Sequence, residues 1–461
     1  MSDRGLLVPS PVASEVPAVR ARVSLAVAML GFFVVSLDAQ VVNVALPNIR
    51  LDLGGGLTGL QWVVTGYTLS FSALLLFAGT FSDRVGARSA YGIGMVVFVV
   101  ASAACGFAPS LDLLVAARIL QGFGAALVTP TSLALIREAY DDPRRRATAI
   151  AYWAMGGSVA LAAGPILGGA LAQLDWRFIF FLNMPVGVAA IFVLSRVGPS
   201  PSRVARFDWT GQVCAVLALA SLTYAIIAGG ELGYDSTAVV AAFVISAFAF
   251  ASFLVAEARG RNPMVPLDMF RSRTVSIALL AASINMVGFY GVVFVQSLYF
   301  QQLRGASPLQ TGLLFLPMSA LVALLNPVVA RTVGRFGRIA PILGGQLCMA
   351  AGLVLLSTVP ANTPTLLVAV LMIPVGVGGS FTVPPVTSLL IDSVRLSRAG
   401  TASGVLNTFR QMGGALGVAV YGAVIARQGS FLPGLRACLL VTAALLVVTA
   451  AVTATLRRTT R

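Results

Sequence analysis

Gly122-Phe-Gly-Ala-Ala-Leu-Val-Thr-Pro130 recurs 254 residues downstream as Gly376-Val-Gly-Gly-Ser-Phe-Thr-Val-Pro384. Both stretches lie inside apolar runs of about twenty residues, where small residues let helices approach closely. Such residues are common there, so the match gains weight from two others at nearly the same offset. Met155-Gly-Gly157 corresponds to Met412-Gly-Gly414, and Arg84-Val-Gly86 to Arg335-Phe-Gly337. Around these anchors the chain offers fourteen candidate spans, at residues 23–47, 59–81, 89–108, 112–136, 146–171, 178–195, 210–229, 237–257, 274–302, 309–330, 338–358, 363–391, 399–426 and 434–456. Spans one to six correspond to nine to fourteen in the same orientation, which leaves seven and eight as an inserted pair. The pattern predicts an all-α polytopic membrane protein with two parallel six-helix halves around a central cavity. The expected divisions are a disordered cytoplasmic tail (1–20), a first half (21–196), a linker carrying the two inserted helices (197–260), a second half (261–456) and a short tail (457–461).

Composition agrees with that class, because 58% of residues are hydrophobic and only 10% are charged. A formal net charge of +15 would suggest nucleic acid in a soluble chain. Here the basic residues are all Arg, and they cluster in short loops between apolar runs, where they orient helices. With a cytoplasmic N-terminus, 24 Arg fall inside and five outside (Arg50, Arg177, Arg304, Arg427 and Arg436), so both termini are expected in the cytoplasm. No nucleic-acid partner is expected. The four cysteines lie singly in separate apolar runs, without metal-ligand spacing, and no metal site is expected.

Asp38 is the one carboxylate securely inside an apolar run, and an ionisable group in hydrocarbon is costly enough to imply a job. Two cations, Arg118 and Arg410, also fall within spans and need partners or a wet cavity. The positions 254 residues after Asp38 and Arg118 are Val292 and Met372, so those charges belong to one half only. By the span limits, Asp38 and Arg118 lie about 13 and 9 Å from the outer ends of their helices and can meet. An Asp beside a guanidinium stays ionised, whereas the same group facing an apolar cavity favours its protonated form. Alternation between the two would be a proton switch; a permanent structural ion pair is the competing reading. With no His or Lys in the chain, any proton carrier must be a carboxylate.

Several motifs now combine. Gly79-Thr-Phe-Ser-Asp-Arg-Val-Gly-Ala-Arg88 joins spans two and three; Leu114 to Ala126 contains Arg118, Gln121, Gly122 and Gly124; Ala160-Leu-Ala-Ala-Gly-Pro-Ile-Leu-Gly-Gly169 lies in span five; Leu37 to Pro47 surrounds Asp38. Asp175 to Gly187, Phe207 to Gly211 and Ser403 to Gly414 supply further landmarks. In this order they resemble the drug:proton antiporters with fourteen spans, within the major facilitator superfamily, over nearly the whole chain. The resemblance implies the major facilitator fold and a latch formed by Gly79, Asp83, Arg84, Gly86 and Arg88, with Ala87 standing where a basic residue is usual. It implies proton transfer through Asp38 and Arg118, and an antiporter motif at Gly164, Pro165, Gly168 and Gly169. In that motif the glycines allow backbone contact and the proline removes one hydrogen bond.

The implied activity is export of lipophilic drugs or antibiotics across the inner (cytoplasmic) membrane by alternating access, with protons as counter-substrate. A proton-coupled importer of a small metabolite would use the same scaffold. The expected energy source is the proton gradient, with no cofactor, because no Gly-Lys-Ser/Thr phosphate loop is present. An enzyme is not expected, since no convergent catalytic groups appear, and a monomer is expected to suffice. Broad recognition needs an apolar and aromatic cavity with a few polar anchors. Candidates are Gln40, Asn43, Tyr67, Tyr152, Trp153, Asn285, Tyr290, Gln296, Phe315, Asn326, Asn407, Arg410 and Gln411. Span ten carries no acid, which argues against a dication as preferred cargo.

Overall fold

The computed structural model describes residues 18–202, 207–260, 263–360, 362–395, 398–428 and 430–458. Most of the first expected tail lies outside these limits. Apolar runs in a bilayer must satisfy their backbone internally, and this chain does so with helices throughout. The first half contains α1 (Ala18–Leu53), α2 (Leu57–Val85), α3 (Ala87–Gly106), α4 (Leu111–Ala139), α5 (Pro143–Leu174), a short α6 (Phe178–Phe181) and α7 (Asn183–Leu194). The inserted pair is α8 (Trp209–Leu232) and α9 (Thr237–Arg259). The second half contains α10 (Arg273–Leu298), α11 (Pro308–Leu324), α12 (Asn326–Phe336), α13 (Ile339–Ser357), α14 (Thr365–Leu371), α15 (Ile373–Asp392), α16 (Ala399–Arg427) and α17 (Phe431–Ala454).

Among the described residues, twelve helices are long and apolar enough to cross a membrane. A thirteenth is reached by counting α11 and α12 as one span bent by 45°. Pro327, at the start of α12, removes a backbone donor at that bend. The expected sixth span is only a 17-residue apolar segment, Phe178–Leu194, broken at Leu182. At the helical rise it covers about 25 Å, short of a bilayer core of about 30 Å. The expected count of fourteen spans is therefore not confirmed.

The sequence repeat is a repeat of contacts. Gly124 of α4 faces Gly94 of α3, where an added β-carbon would sit 2.8 Å from the Gly94 carbonyl oxygen; Gly378 of α15 faces Gly345 of α13 in the same way, at 2.6 Å. Gly122 packs on the Tyr67 carbonyl of α2, and Gly376 on the Met318 carbonyl of α11. Chain reversal repeats too, with positive φ at Gly86 (+83°) between α2 and α3 and at Gly337 (+72°) between α12 and α13, a conformation that favours glycine.

The halves meet through α1 with α10, α2 with α16, and α5 with α11. Ser297 Oγ donates to the Asn43 carbonyl at 2.5 Å, and Gln301 Nε2 to the Val44 carbonyl at 2.8 Å. Gln61 Nε2 reaches the Ala419 carbonyl at 2.7 Å. Gly169 lies against Pro308 and Leu309, and Gly312 against the Pro165 carbonyl. All these contacts belong to the end of the bundle remote from the start of α1. The inserted pair leans on the α2–α16 side of this seam, through Gln212 Nε2 to the Ala73 carbonyl (2.8 Å) and Gly230 against Ala423.

Candidate functional site

Asp38 is fully buried just past the middle of α1, and Arg118 of α4 is 1% exposed. Gly122 and Gly124 bring α4 close to α2 and α3, so the Arg118 side chain crosses to α1 rather than leaving the bundle. Its Nη1 donates to Asp38 Oδ2 at 2.5 Å and to Gln121 Oε1 at 2.7 Å, and its Nε donates to the Val63 carbonyl at 3.1 Å. The guanidinium also lies over the Tyr67 ring, 4.2 Å from its centre, and 5.7 Å from that of Phe180. Tyr67 is fixed in turn by its hydroxyl, which donates to the Val35 carbonyl at 3.1 Å.

The other carboxylate oxygen, Asp38 Oδ1, accepts from Gln121 Nε2 at 2.9 Å and from Asn183 Nδ2 at 2.7 Å. Both amides also donate to Ser102 Oγ, at 3.1 and 3.0 Å, and Ser102 Oγ donates to the Phe180 carbonyl at 2.8 Å. Gln121 stands three residues after Arg118 and so shares its helix face. Asn183 is placed by the break at Leu182, which starts α7 beside the carboxylate. Every neighbour of the carboxylate presents a donor. Adding a proton therefore requires at least one of them, Arg118 above all, to let go.

Four elements thus converge on one acid in the interior of a single half. A model of the Major Facilitator Superfamily matches residues 28–418. The chain belongs to the Major Facilitator Superfamily. Curated relatives include the multidrug resistance protein Stp of Mycobacterium tuberculosis, 38% identical over 86% of this chain and 74% of the relative. The methylenomycin A resistance protein of Streptomyces coelicolor is 35% identical over 89% and 88%, and the tetracenomycin C resistance and export protein of Streptomyces glaucescens 33% over 89% and 77%. A POT family transporter crystallised with a thioalcohol-conjugated peptide superposes with a TM-score of 0.70 at 13% identity, over 95% of this chain and 96% of that one. At that identity the likeness shows the fold alone. As a major facilitator protein the chain is a multi-pass membrane transporter and not an enzyme.

Within the major facilitator fold, the other expected residues separate into distinct places. Gln40 packs its side chain against Gly164, and Gly168 lies on the Val41 backbone, so the antiporter motif is the α1–α5 contact, with Gly169 and Pro165 also meeting α11. Asn43 donates to the Ala39 carbonyl at 3.2 Å. Tyr290, Asn407, Arg410 and Gln411 are half-buried on α10 and α16, and Tyr152 is half-exposed. Others belong to packing. Trp153 stacks on Phe32 at 3.9 Å and donates to Ser132; Phe315 is a core side chain edge-on to Phe300. Asn285 is buried against Met349, Gln296 lines a small pocket with Tyr299 and Leu432, and Asn326 is exposed at the α11–α12 bend. Ser102 and Asn183 were not among the expected site residues, and Gln121 was seen only as part of a motif. Among the described residues no cluster suited to a metal ion occurs.

The expected latch has a different geometry. Asp83 does not cap α3, whose N-cap Gly86 has no side-chain bond, and among the described residues it forms no ion pair. Arg84 lies over the Phe207 ring at 5.2 Å, Gly86 packs on Ser200, and the Arg88 backbone N–H donates to Ser200 Oγ, which donates to Glu138. Gly79 has open space around it. By the repeat, Ala87 and Glu138 correspond to Arg338 and Asp392, and these two form an ion pair in the second half. The first half lacks that pair because position 87 carries no charge.

Proposed function

We propose that this transporter exports lipophilic small molecules, antibiotics among them, across the cytoplasmic membrane in exchange for protons. The single observation that carries the proton step is the Asp38–Arg118 pair, sealed in the interior of one half and held only by donors. The names of the resistance and export relatives support the direction and the class of cargo. The seam closed at the end remote from the start of α1 supports a state that faces the cytoplasm, given cytoplasmic termini. In this reading Phe178–Leu194 is a short, broken fourteenth span, residues 21–196 and 261–456 are the rocking halves, and one chain suffices.

A proton entering from outside binds Asp38 and releases Arg118, which keeps Val63, Gln121 and the Tyr67 ring as partners. The neutral acid then tolerates an apolar setting while the halves rock. Cargo arriving from the cytoplasm favours return of the proton to that side. In everted membrane vesicles acidified inside, Asp38→Asn should abolish cargo accumulation while the protein inserts at normal levels. Normal coupled accumulation by that variant would falsify the proton assignment, and accumulation driven only by the opposite gradient would mean import.

A further inference from the structure

We infer that Arg410 binds an acidic group on the cargo, so that the exported compounds are lipophilic organic anions of the carboxylate class; this rests on the export reading above. Arg410 lies near the middle of α16, half-buried, with five N–H donors. One of them reaches Asn407 Oδ1, at 3.3 Å, and its buried Nε has no hydrogen-bond partner. Among the described residues no carboxylate lies within 4.0 Å of its guanidinium. Arg118 is the comparison within the same molecule, since there a fully buried guanidinium has a carboxylate, an amide and a carbonyl around it.

Asn407, Arg410 and Gln411 share one face of α16, and Gly414 on that face touches the Tyr290 ring. That contact sets the Arg410 face of α16 against α10, the helix whose Ser297 touches α1. The repeat makes the placement pointed. With Met155 aligned to Met412, the first-half counterparts of Asn407, Arg410 and Gln411 are Ile150, Trp153 and Ala154, none of them charged. A scaffold role would not need a cation in one half and a stacked indole in the other.

An unpaired guanidinium in a low-dielectric setting is costly, and a bound carboxylate offers two parallel bonds that restore its partners. The spans' mid-membrane charges, Asp38, Arg118 and Arg410, sum to one excess positive charge, which attracts an anion and repels a cation. An inside-negative membrane potential also favours outward movement of an anion, so potential and proton gradient would act together.

The test uses the full chain in nanodiscs and three fluorescent probes of one skeleton: pyrenebutyrate, its amide and pyrenebutylamine. Binding above that of protein-free nanodiscs should be at least about tenfold tighter for the acid than for the amide. Arg410→Gln should bring the acid-to-amide affinity ratio to about one, and Arg410→Lys should retain part of the preference. The acid-to-amide ratio is insensitive to a general folding loss. Equal binding of acid and amide by the wild type, or a preference that survives Arg410→Gln, would overturn the inference. Uncoupler-sensitive uptake of the amine or amide into everted membrane vesicles, with no binding of the acid in nanodiscs, would leave export standing and overturn the anionic cargo.

Discussion

Ser297 donates its hydroxyl to the main-chain carbonyl of Asn43, and the two residues are 254 positions apart, the offset of the internal repeat. Equivalent points of α1 and α10 therefore touch where the two halves come together. In the rocking cycle proposed above, that contact would act as a gate, formed when the halves close at this end and lost when they open.

The bond should bias that equilibrium by about 1 kcal/mol, the usual net worth of one hydrogen bond, or about fivefold in population. Ser297→Ala should raise the open fraction by that factor. Spin labels at the exposed Leu51 and Leu303, in a background lacking Cys214 and Cys348, would report it as growth of the longer inter-label distance. An unchanged distance distribution would show that the seam is held by the glycine contacts alone.

Asn183 and Gln121 both donate to the Asp38 carboxylate and so favour its charged form over its protonated one. Asn183→Ala and Gln121→Ala each remove one charge-assisted bond to the carboxylate, worth about 1.5 kcal/mol, and should weaken the coupling of efflux to the proton gradient while leaving the Asp38–Arg118 pair in place. Unchanged coupling in both variants would mean that these amides only pack.

The two mutations also mark where sequence reading stops. The repeat, the lone acid and its Arg partner are legible because each breaks a pattern: a recurrence of small residues, a charge in oil, a charge in one half only. Ser102 breaks none, being one hydroxyl among many in apolar helices, and Asn183 reaches Asp38 only through the break at Leu182. Spacing does not reveal which helix face looks inward, so Trp153 and Phe315, read as cavity residues, turn out to be packed against Phe32 and Phe300. The latch segment differs for another reason. Its sequence pattern is in the first half, but the ion pair that the fold closes is Arg338 with Asp392 in the second.

Outside the spans, Arg398 holds the Asp268 carboxyl below the ordinary carboxylate range, first through a hydrogen bond and then through its charge. A depressed folded-state pKa gives stability that is present above the unfolded value of about 3.9 and lost as pH falls through the folded value. Since both side chains are largely solvated, Arg398→Ala should leave the melting temperature nearly flat from pH 6 to 8. The wild type's advantage over the variant should narrow only below about pH 4. A large difference at neutral pH would show that Arg398 has a further partner.

The paired glycines allow the same lesion to be placed in each half. An alanine at Gly124 puts its β-carbon 2.8 Å from the Gly94 carbonyl oxygen, and one at Gly378 puts it 2.6 Å from that of Gly345. Backbone oxygens cannot rotate away, so each substitution must push two helices apart, at a cost of about 1–3 kcal/mol for overpacking. Thermal unfolding of Gly124→Ala and Gly378→Ala should show similar losses. Function should separate them, because Gly124 lies within a turn of Gln121 and two turns of Arg118, while among the described residues no ion pair lies beside Gly378. The first variant should therefore uncouple cargo movement from the proton gradient beyond its stability loss, and the second should transport less in proportion to folded protein yet remain coupled. Equal coupling in both would mean that the spacing of α3 and α4 does not set the Asp38–Arg118 geometry.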